Sequence, residues 1–399
     1  MADELAGDPD VGFTLTTVVA DDGGISERAA ALSHRIAKTV AALGPPGWTK
    51  VEASFALTAA AEVSMVVFHD EQQRFARVFP SPELLDLLRE HRHISASMGD
   101  GPWWRYLLTL TNAGRMEVDY DYGDEPFPDD QLFPPTVYRT DIEIYPRDHL
   151  PIWLAAYIHH GNRQLRGPVA AAEQARADIA AGRHAVGSAP DMEFPALVPM
   201  ARRWALIAAA FVAVGSKWGP RVTPAFHVFE GSKFSGSTLC LLPGDRAVLS
   251  GGVWNAPELD AVYNKDLPMP DFYLGAPDWV VAPVINRRAE SGLLTFCYWW
   301  EGGRWYRGAS VGADALASAV PGMWDTRTVV DVLTGLLGER ASQAQKEGVL
   351  GLVEAAERAA VAREAFTRVF PADAYHVDAA WFELNLAGLL GTHHVGLAE

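Results

Sequence analysis

The chain has 399 residues, 49% hydrophobic and 21% charged, with 50 acidic against 33 basic side chains and a formal net charge of −17. That apolar content is enough for about two cores and excludes disorder of the whole chain. The negative field repels nucleic acid and anionic membranes and speeds encounter with cationic proteins, so the expected partner is a protein, with no nucleic acid and no membrane.

Met1-Ala2-Asp3-Glu4-Leu5 carries no basic segment followed by an apolar one, so no secretory signal is read there and a cytoplasmic location is expected. Residues 204–214, the most apolar run, fall short of the roughly 20 needed to cross a bilayer and read as a core helix. Cys240 and Cys297 are the two cysteines, too few for a disulfide framework and not in a Cys-x-x-Cys pair.

Residues 25–43 place Ala29, Leu32, Ile36, Val40 and Leu43 on one helical stripe, stopped by Gly44-Pro45-Pro46. Strands are expected at 51–57, 63–68 and 75–79. Ser81-Pro82-Glu83 opens a helix: a side-chain cap, a first-turn proline, and a carboxylate facing the dipole. Leu84, Leu87, Leu88 and His91 share one side of it. Residues 104–111 and 115–122 form a hairpin about Asn112-Ala113-Gly114. After a proline-rich loop, 141–145 reads as extended and 150–159 as a closing helix carrying Trp153. The first domain is set at residues 1–165.

Residues 167–182 read as helix, and Gly187-Ser188-Ala189-Pro190 as a linker within 166–190. A second domain over 191–340 opens with a core helix at 196–214. Strands are expected at 225–229, 238–242 and 280–285, a hairpin at 293–306 turning at Glu301-Gly302-Gly303, and a helix at 327–337. Its element order echoes the first half, as a diverged duplication would. Residues 341–399 form a C-terminal helical segment, with helices at 352–370 and 378–390. The fold class is α+β: two α+β domains with antiparallel sheets plus C-terminal helices.

The most unusual local feature is Glu117-Val118-Asp119-Tyr120-Asp121-Tyr122-Gly123-Asp124-Glu125, continuing to Asp129-Asp130, with no Lys or Arg between Arg115 and Arg139. On a strand Glu117, Asp119 and Asp121 share one face, and Met116, Val118, Tyr120 and Tyr122 the other, facing the core. Carboxylates at roughly 7 Å intervals repel one another, and a docking cation relieves that cost. A solvated edge strand that discourages aggregation carries the same pattern. Trp103-Trp104 beside this row offers an interface anchor, since one of two adjacent strand residues faces outward. The second hairpin carries Arg304 and Arg307 where the first carries acids, so the binding site is placed in the first half, on Glu117, Asp119, Asp121, Asp124, Glu125, Trp103 and Trp104.

Asp119-x-Asp121 has the spacing of the acidic pair in metal-dependent glycosyltransferases. A calcium loop fails, with Asp124 at its sixth position and Asp130 at its twelfth. His91-Arg92-His93, His159-His160 and His393-His394 lack zinc-site spacing and read as surface or helix-end residues. No phosphate loop, nucleophile elbow or dinucleotide fingerprint occurs; Gly231-Ser232-Lys233-Phe234-Ser235-Gly236 matches none of them. No catalytic residue, metal or cofactor is expected.

Over residues 25–160 the sequence resembles the YezG-like immunity proteins of bacterial polymorphic toxin systems. The matching features are Ile36-Ala37-Lys38, Pro46-Gly47-Trp48, the strand at 65–68, the hairpin from Trp104 through Gly114 to Asp119-Tyr120-Asp121-Tyr122, then Asp124-Glu125 and Trp153. The resemblance implies a non-enzymatic antitoxin that binds and blocks a cognate secreted toxin domain, of nuclease or NAD-degrading type. A typical member is about one such domain, so the second half departs from the pattern. The alternatives are a metal-dependent transferase using Asp119 and Asp121, and a scaffold or adaptor assembling through its C-terminal helices.

Overall fold

In the computed structural model, residues 24–99, 101–339 and 341–391 are described; Met1 to Leu5 and the His393-His394 pair lie outside them. The chain divides into two compact units, Met1–Ile158 and His159–Glu399. Each contains one antiparallel sheet, of five and seven strands respectively, with helices against it, so the protein is α+β.

In the first unit, α1 (Ile25–Ala42) buries the expected stripe of Ala29, Leu32, Ile36 and Val40. Strands β1 (Trp48–Leu57), β2 (Glu62–Asp70) and β3 (Phe75–Val78) form a meander. In α2 (Pro82–Ser95) the Ser81 hydroxyl accepts from the Leu84 amide, capping the first turn. β4 (Arg105–Thr111) and β5 (Met116–Asp121) make the hairpin, giving the strand order β3-β2-β1-β4-β5. Period-two alternation sends Val51, Phe55, Phe68, Tyr106, Leu108 and Met116 into one core beneath α1 and α2.

Residues 141–145 are not extended. They end or follow α3 (Pro135–Ile144), which starts on a proline at its first position; α4 (Ile152–His159) comes next. Asp141 breaks the apolar pattern of α3 because it is drawn inward to Arg92, whose guanidinium donates to it at 2.8 Å.

The division at 158/159 falls before the expected boundary at 165. Within the second unit, α5 (Pro168–Ala180) is followed by β6 (Val186–Ser188), so the expected linker contains an edge strand. Then come α6 (Leu197–Ala213), β7 (Arg221–Val222), β8 (Phe226–Glu230), β9 (Gly236–Leu242), β10 (Arg246–Gly252) and α7 (Pro257–Asn264). β11 (Phe296–Glu301) and β12 (Arg304–Arg307) form the second hairpin. α8 (Thr326–Leu337), α9 (Gln343–Glu357), α10 (Arg363–Val369) and α11 (Val377–Leu386) complete it.

This sheet runs β6-β12-β11-β10-β9-β8-β7 and is covered on both faces. Leu239, Leu249, Tyr298 and Trp305 face a core shared by α6 and the C-terminal helices, so residues 341–391 are part of this unit rather than a separate segment. Cys240, Val248, Cys297 and Trp299 face the other way, under the segment that includes Phe272, Val280 and Leu294. The expected strand at 280–285 is instead a short 3-10 turn, Asp278–Val281. Pro277 and Pro283 each lack the amide a ladder needs, and the buried Asn286 amide donates to the Val280 and Ala282 carbonyls.

The helix expected over 352–370 is broken. Ala359 has a left-handed φ of 52°, and the Ala360 amide closes back on the Ala355 carbonyl at 2.9 Å, ending α9. The two units differ in element order, with three strands between α1 and α2 and four between α6 and α7, and in strand order, β4 pairing with β1 whereas β11 pairs with β10.

Candidate functional site

The acidic hairpin folds as its alternation predicts. Gly114 supplies the positive φ its turn needs, and the Thr111 amide donates to the Arg115 carbonyl at 2.9 Å. Pairing then sets Thr109 opposite Glu117, Leu107 opposite Asp119 and Arg105 opposite Asp121. All three acids lie on the face away from α1 and α2, while Met116 is buried and Val118 and Tyr120 pack against the core.

The three acids are not equivalent. Glu117 is 69% exposed, with only a loose 3.8 Å approach from Arg115. Asp119 is exposed beside the part-exposed Leu107, with no ion pair among the described residues. Asp121 is different: Arg105 donates to one of its oxygens at 2.7 Å and the Gly123 amide to the other at 2.8 Å. With a side chain only 19% exposed, Asp121 is neutralised within the molecule and leaves the expected row. Asp124 and Glu125 are exposed on the loop beyond it. Tyr122, expected in the core, lies past the end of β5 and is exposed.

Neither tryptophan faces out. Trp103 and Trp104 are 0% and 1% exposed, so neither is an interface anchor. Trp103 donates its indole N–H to Nδ1 of His91 at 3.1 Å. Trp104 lies on the opposite side of the chain, but Tyr138 of α3 meets it edge-on and Arg147 stacks over it at 4.1 Å. At this end α3 and the 123–134 loop cover the sheet's second face, where Gln131 donates to Ser54 at 3.0 Å. An outward strand position therefore became a second, smaller core.

Further up the same face the sheet is open. Met65 and Val67 of β2 and Leu107 of β4 are part-exposed there, on either side of Glu52 and Ser54 of β1. On the far edge Phe75 and Phe79 are 74% and 87% exposed. The acids of β5 border the other edge. Glu52 in the middle is paired with Lys50 at 2.6 Å and lies 3.3 Å from the His69 ring, and the lysine holds its carboxyl below the usual range. The exposed carboxylates of this face without a close cation are therefore Glu117 and Asp119 at the β5 edge, while the exposed Arg77 of β3, opposite Val67 and donating to the Met65 sulfur at 3.3 Å, is a cation on the same face.

His91-Arg92-His93 lie at the end of α2, as the helix-end reading expects, with His91 and Arg92 buried and His93 exposed. The Nε2 of His91 lies 3.1 Å from the Ser33 hydroxyl and 3.2 Å from that of Tyr120. Because Nδ1 accepts from Trp103, Nε2 carries the proton of the neutral ring and cannot take one from Ser33. Ser33 is itself fully buried, so the pair is a structural network rather than a nucleophile and its base. Burial pulls the His91 pKa down to about 4, and that of His227 in the second unit likewise.

Two clefts are lined by residues other than the acids of β5. One of about 610 Å³ is lined by residues 57–62, Arg89, Arg92, Ile144 and Tyr145. Arg89 is bound to Glu62 and Asp86, and Arg92 to Asp141 and the Trp103 carbonyl. In the second unit a cleft of about 280 Å³ holds Arg166, paired with Asp271 at 2.7 Å. Among the described residues no three His, Cys, Asp or Glu side chains converge as a metal-binding group. Cys240 and Cys297 are both buried, and burial raises each thiol above its ordinary pKa. No described helix is long and apolar enough to cross a membrane. Arg307 on the second hairpin is engaged by Glu193 at 3.0 Å.

No family model matches the chain, and no curated protein matches it.

Proposed function

We propose that the protein is a non-catalytic immunity protein whose first unit holds a basic toxin domain and covers that domain's active site. The observation that carries this reading is the open sheet face, where the part-exposed Leu107 of β4 lies beside the exposed Glu117 and Asp119 of β5. A toxin site that accepts anionic nucleic acid or a pyrophosphate is basic, and these carboxylates attract and orient it. The motif resemblance of the hairpin to YezG-like immunity proteins points the same way, and the cytoplasm is where such a protein would act. The cationic partner is bound by Glu117 and Asp119 with support from Asp124 and Glu125; Asp121, Trp103 and Trp104 serve the fold.

The test is rescue of growth in cells expressing the C-terminal toxin domain of a large secreted protein encoded beside this gene. Co-expression of the full chain restores growth, and the E117K/D119K variant, folded to the same extent, does not. Failure of the full chain to protect, or full protection by the variant, overturns the reading. A transferase would need Asp119 and Asp121 to converge on one metal ion, whereas Asp121 is committed to Arg105.

A further inference from the structure

We infer that the partner contributes an extended basic segment that pairs with the outer edge of β5 as a sixth strand, a mode of contact that rests on the binding reading above. β5 ends the sheet order, so among the described residues one side of its backbone has no neighbouring strand. Which side that is follows from the hairpin. The Thr111 amide bonds to the Arg115 carbonyl, and antiparallel pairs alternate between bonded and non-bonded. The bonded pairs with β4 are therefore those of Glu117, Asp119 and Asp121. The amides and carbonyls of Met116, Val118 and Tyr120 point away from β4, along the free edge.

A strand docked there bonds to Val118 and Tyr120. Its residues opposite Glu117 and Asp119 occupy the non-bonded sites, where facing side chains approach most closely. Those residues project onto the same face as the two carboxylates, so lysine or arginine at alternate positions satisfies both. An acidic or uncharged strand leaves Glu117 and Asp119 crowded and uncompensated. The chain's net charge of −17 adds to that selection and opposes pairing with a second copy. The edge is thus protected against indiscriminate strand pairing and open to one chemistry.

The experiment uses the full chain, amide exchange read residue by residue, and two extended hexapeptides, one alternating lysine with valine and one alternating glutamate with valine. The lysine peptide slows exchange at the Val118 and Tyr120 amides at least about fivefold, and the glutamate peptide does not. Val118→Pro removes an outward donor, a change that an edge strand tolerates, and abolishes the protection. A lysine peptide N-methylated at its valines gives the same loss on the unaltered chain, so the result does not depend on that variant folding. Protection absent with the lysine peptide, or retained with the methylated one, overturns strand addition. The growth assay separates the two claims: rescue by the full chain with loss in E117K/D119K, but no edge protection, leaves the immunity reading standing and removes only this mode of contact.

Discussion

Arg105 and Asp121 face each other across the β4–β5 ladder and close at 2.7 Å, with the guanidinium also donating to Gln131 at 2.7 Å. That one pair divides the acidic strand into a structural end and an exposed end. Arg105→Ala leaves a largely buried carboxylate without its counter-ion and is expected to cost about 1–3 kcal/mol. E117Q/D119N, at exposed positions, should change stability by no more than about 0.5 kcal/mol. Urea unfolding of both variants checks this, and equal losses would show that the division is wrong.

Binding to the toxin domain should weaken with salt, because Glu117 and Asp119 sit in water and are screened within about 8–10 Å at 0.1–0.15 M ionic strength. The effect should fall mainly on the association rate. Surface plasmon resonance from 50 to 500 mM salt measures it. An association rate independent of salt would place the contact elsewhere.

Asp141 is fully buried, receives the Arg92 guanidinium at 2.8 Å and accepts the Ala59 amide at 2.6 Å. Asp141→Ala strands a buried cation and is expected to cost about 3–5 kcal/mol. Thermal unfolding followed by tryptophan fluorescence reads the loss. A midpoint unchanged within two or three degrees would contradict the assignment.

His91 and His227 are both held neutral by burial, with pKa values near 4 against 6.5 for a free ring. A depressed folded pKa means the unfolded chain takes up the proton first. The stability associated with each ring is complete above about pH 6.5 and is lost as pH falls toward 4, by up to ~3 kcal/mol per ring. Among the described residues the Nδ1 of His227 has no hydrogen-bond partner, so His227→Leu removes that share of the acid loss without sacrificing a bond there. Urea midpoints at pH 7, 5.5 and 4.5 should fall less for the variant. An identical slope would mean that His227 does not titrate on unfolding.

Gly251 of β10 is packed so closely that a Cβ there would collide with the Gly236 carbonyl and the Phe296 ring. Gly251→Ala is expected to lower stability by about 1–3 kcal/mol through overpacking. Calorimetry of the full chain reads this as a fall in the transition of the second unit.

Where one physical pattern dominated, the elements were legible in sequence. The stripe of α1, the cap and proline of α2, and the alternation of β5 each give one answer. The pairing of Arg105 with Asp121 was also readable, because the turn at Gly114 sets the register that faces them; counting charges along one strand concealed it. Asp141 and Trp104 were less accessible. A buried acid breaks the stripe that announces a helix, and a tryptophan's exposure depends on whether a distant helix covers that end of the sheet. Strand β10 was missed although Pro243-Gly244-Asp245 marks the turn before it, with positive φ at Gly244 and Asp245.

The second sheet closes only when β12, ending at Arg307, meets β6, which ends at Ser188. Every strand of the first sheet lies between Trp48 and Asp121. During synthesis the amino-terminal sheet is therefore complete while the ribosome still has more than half of the chain to make. A nascent molecule presents Glu117 and Asp119 on a finished hairpin well before its own carboxy-terminal helices emerge from the exit tunnel.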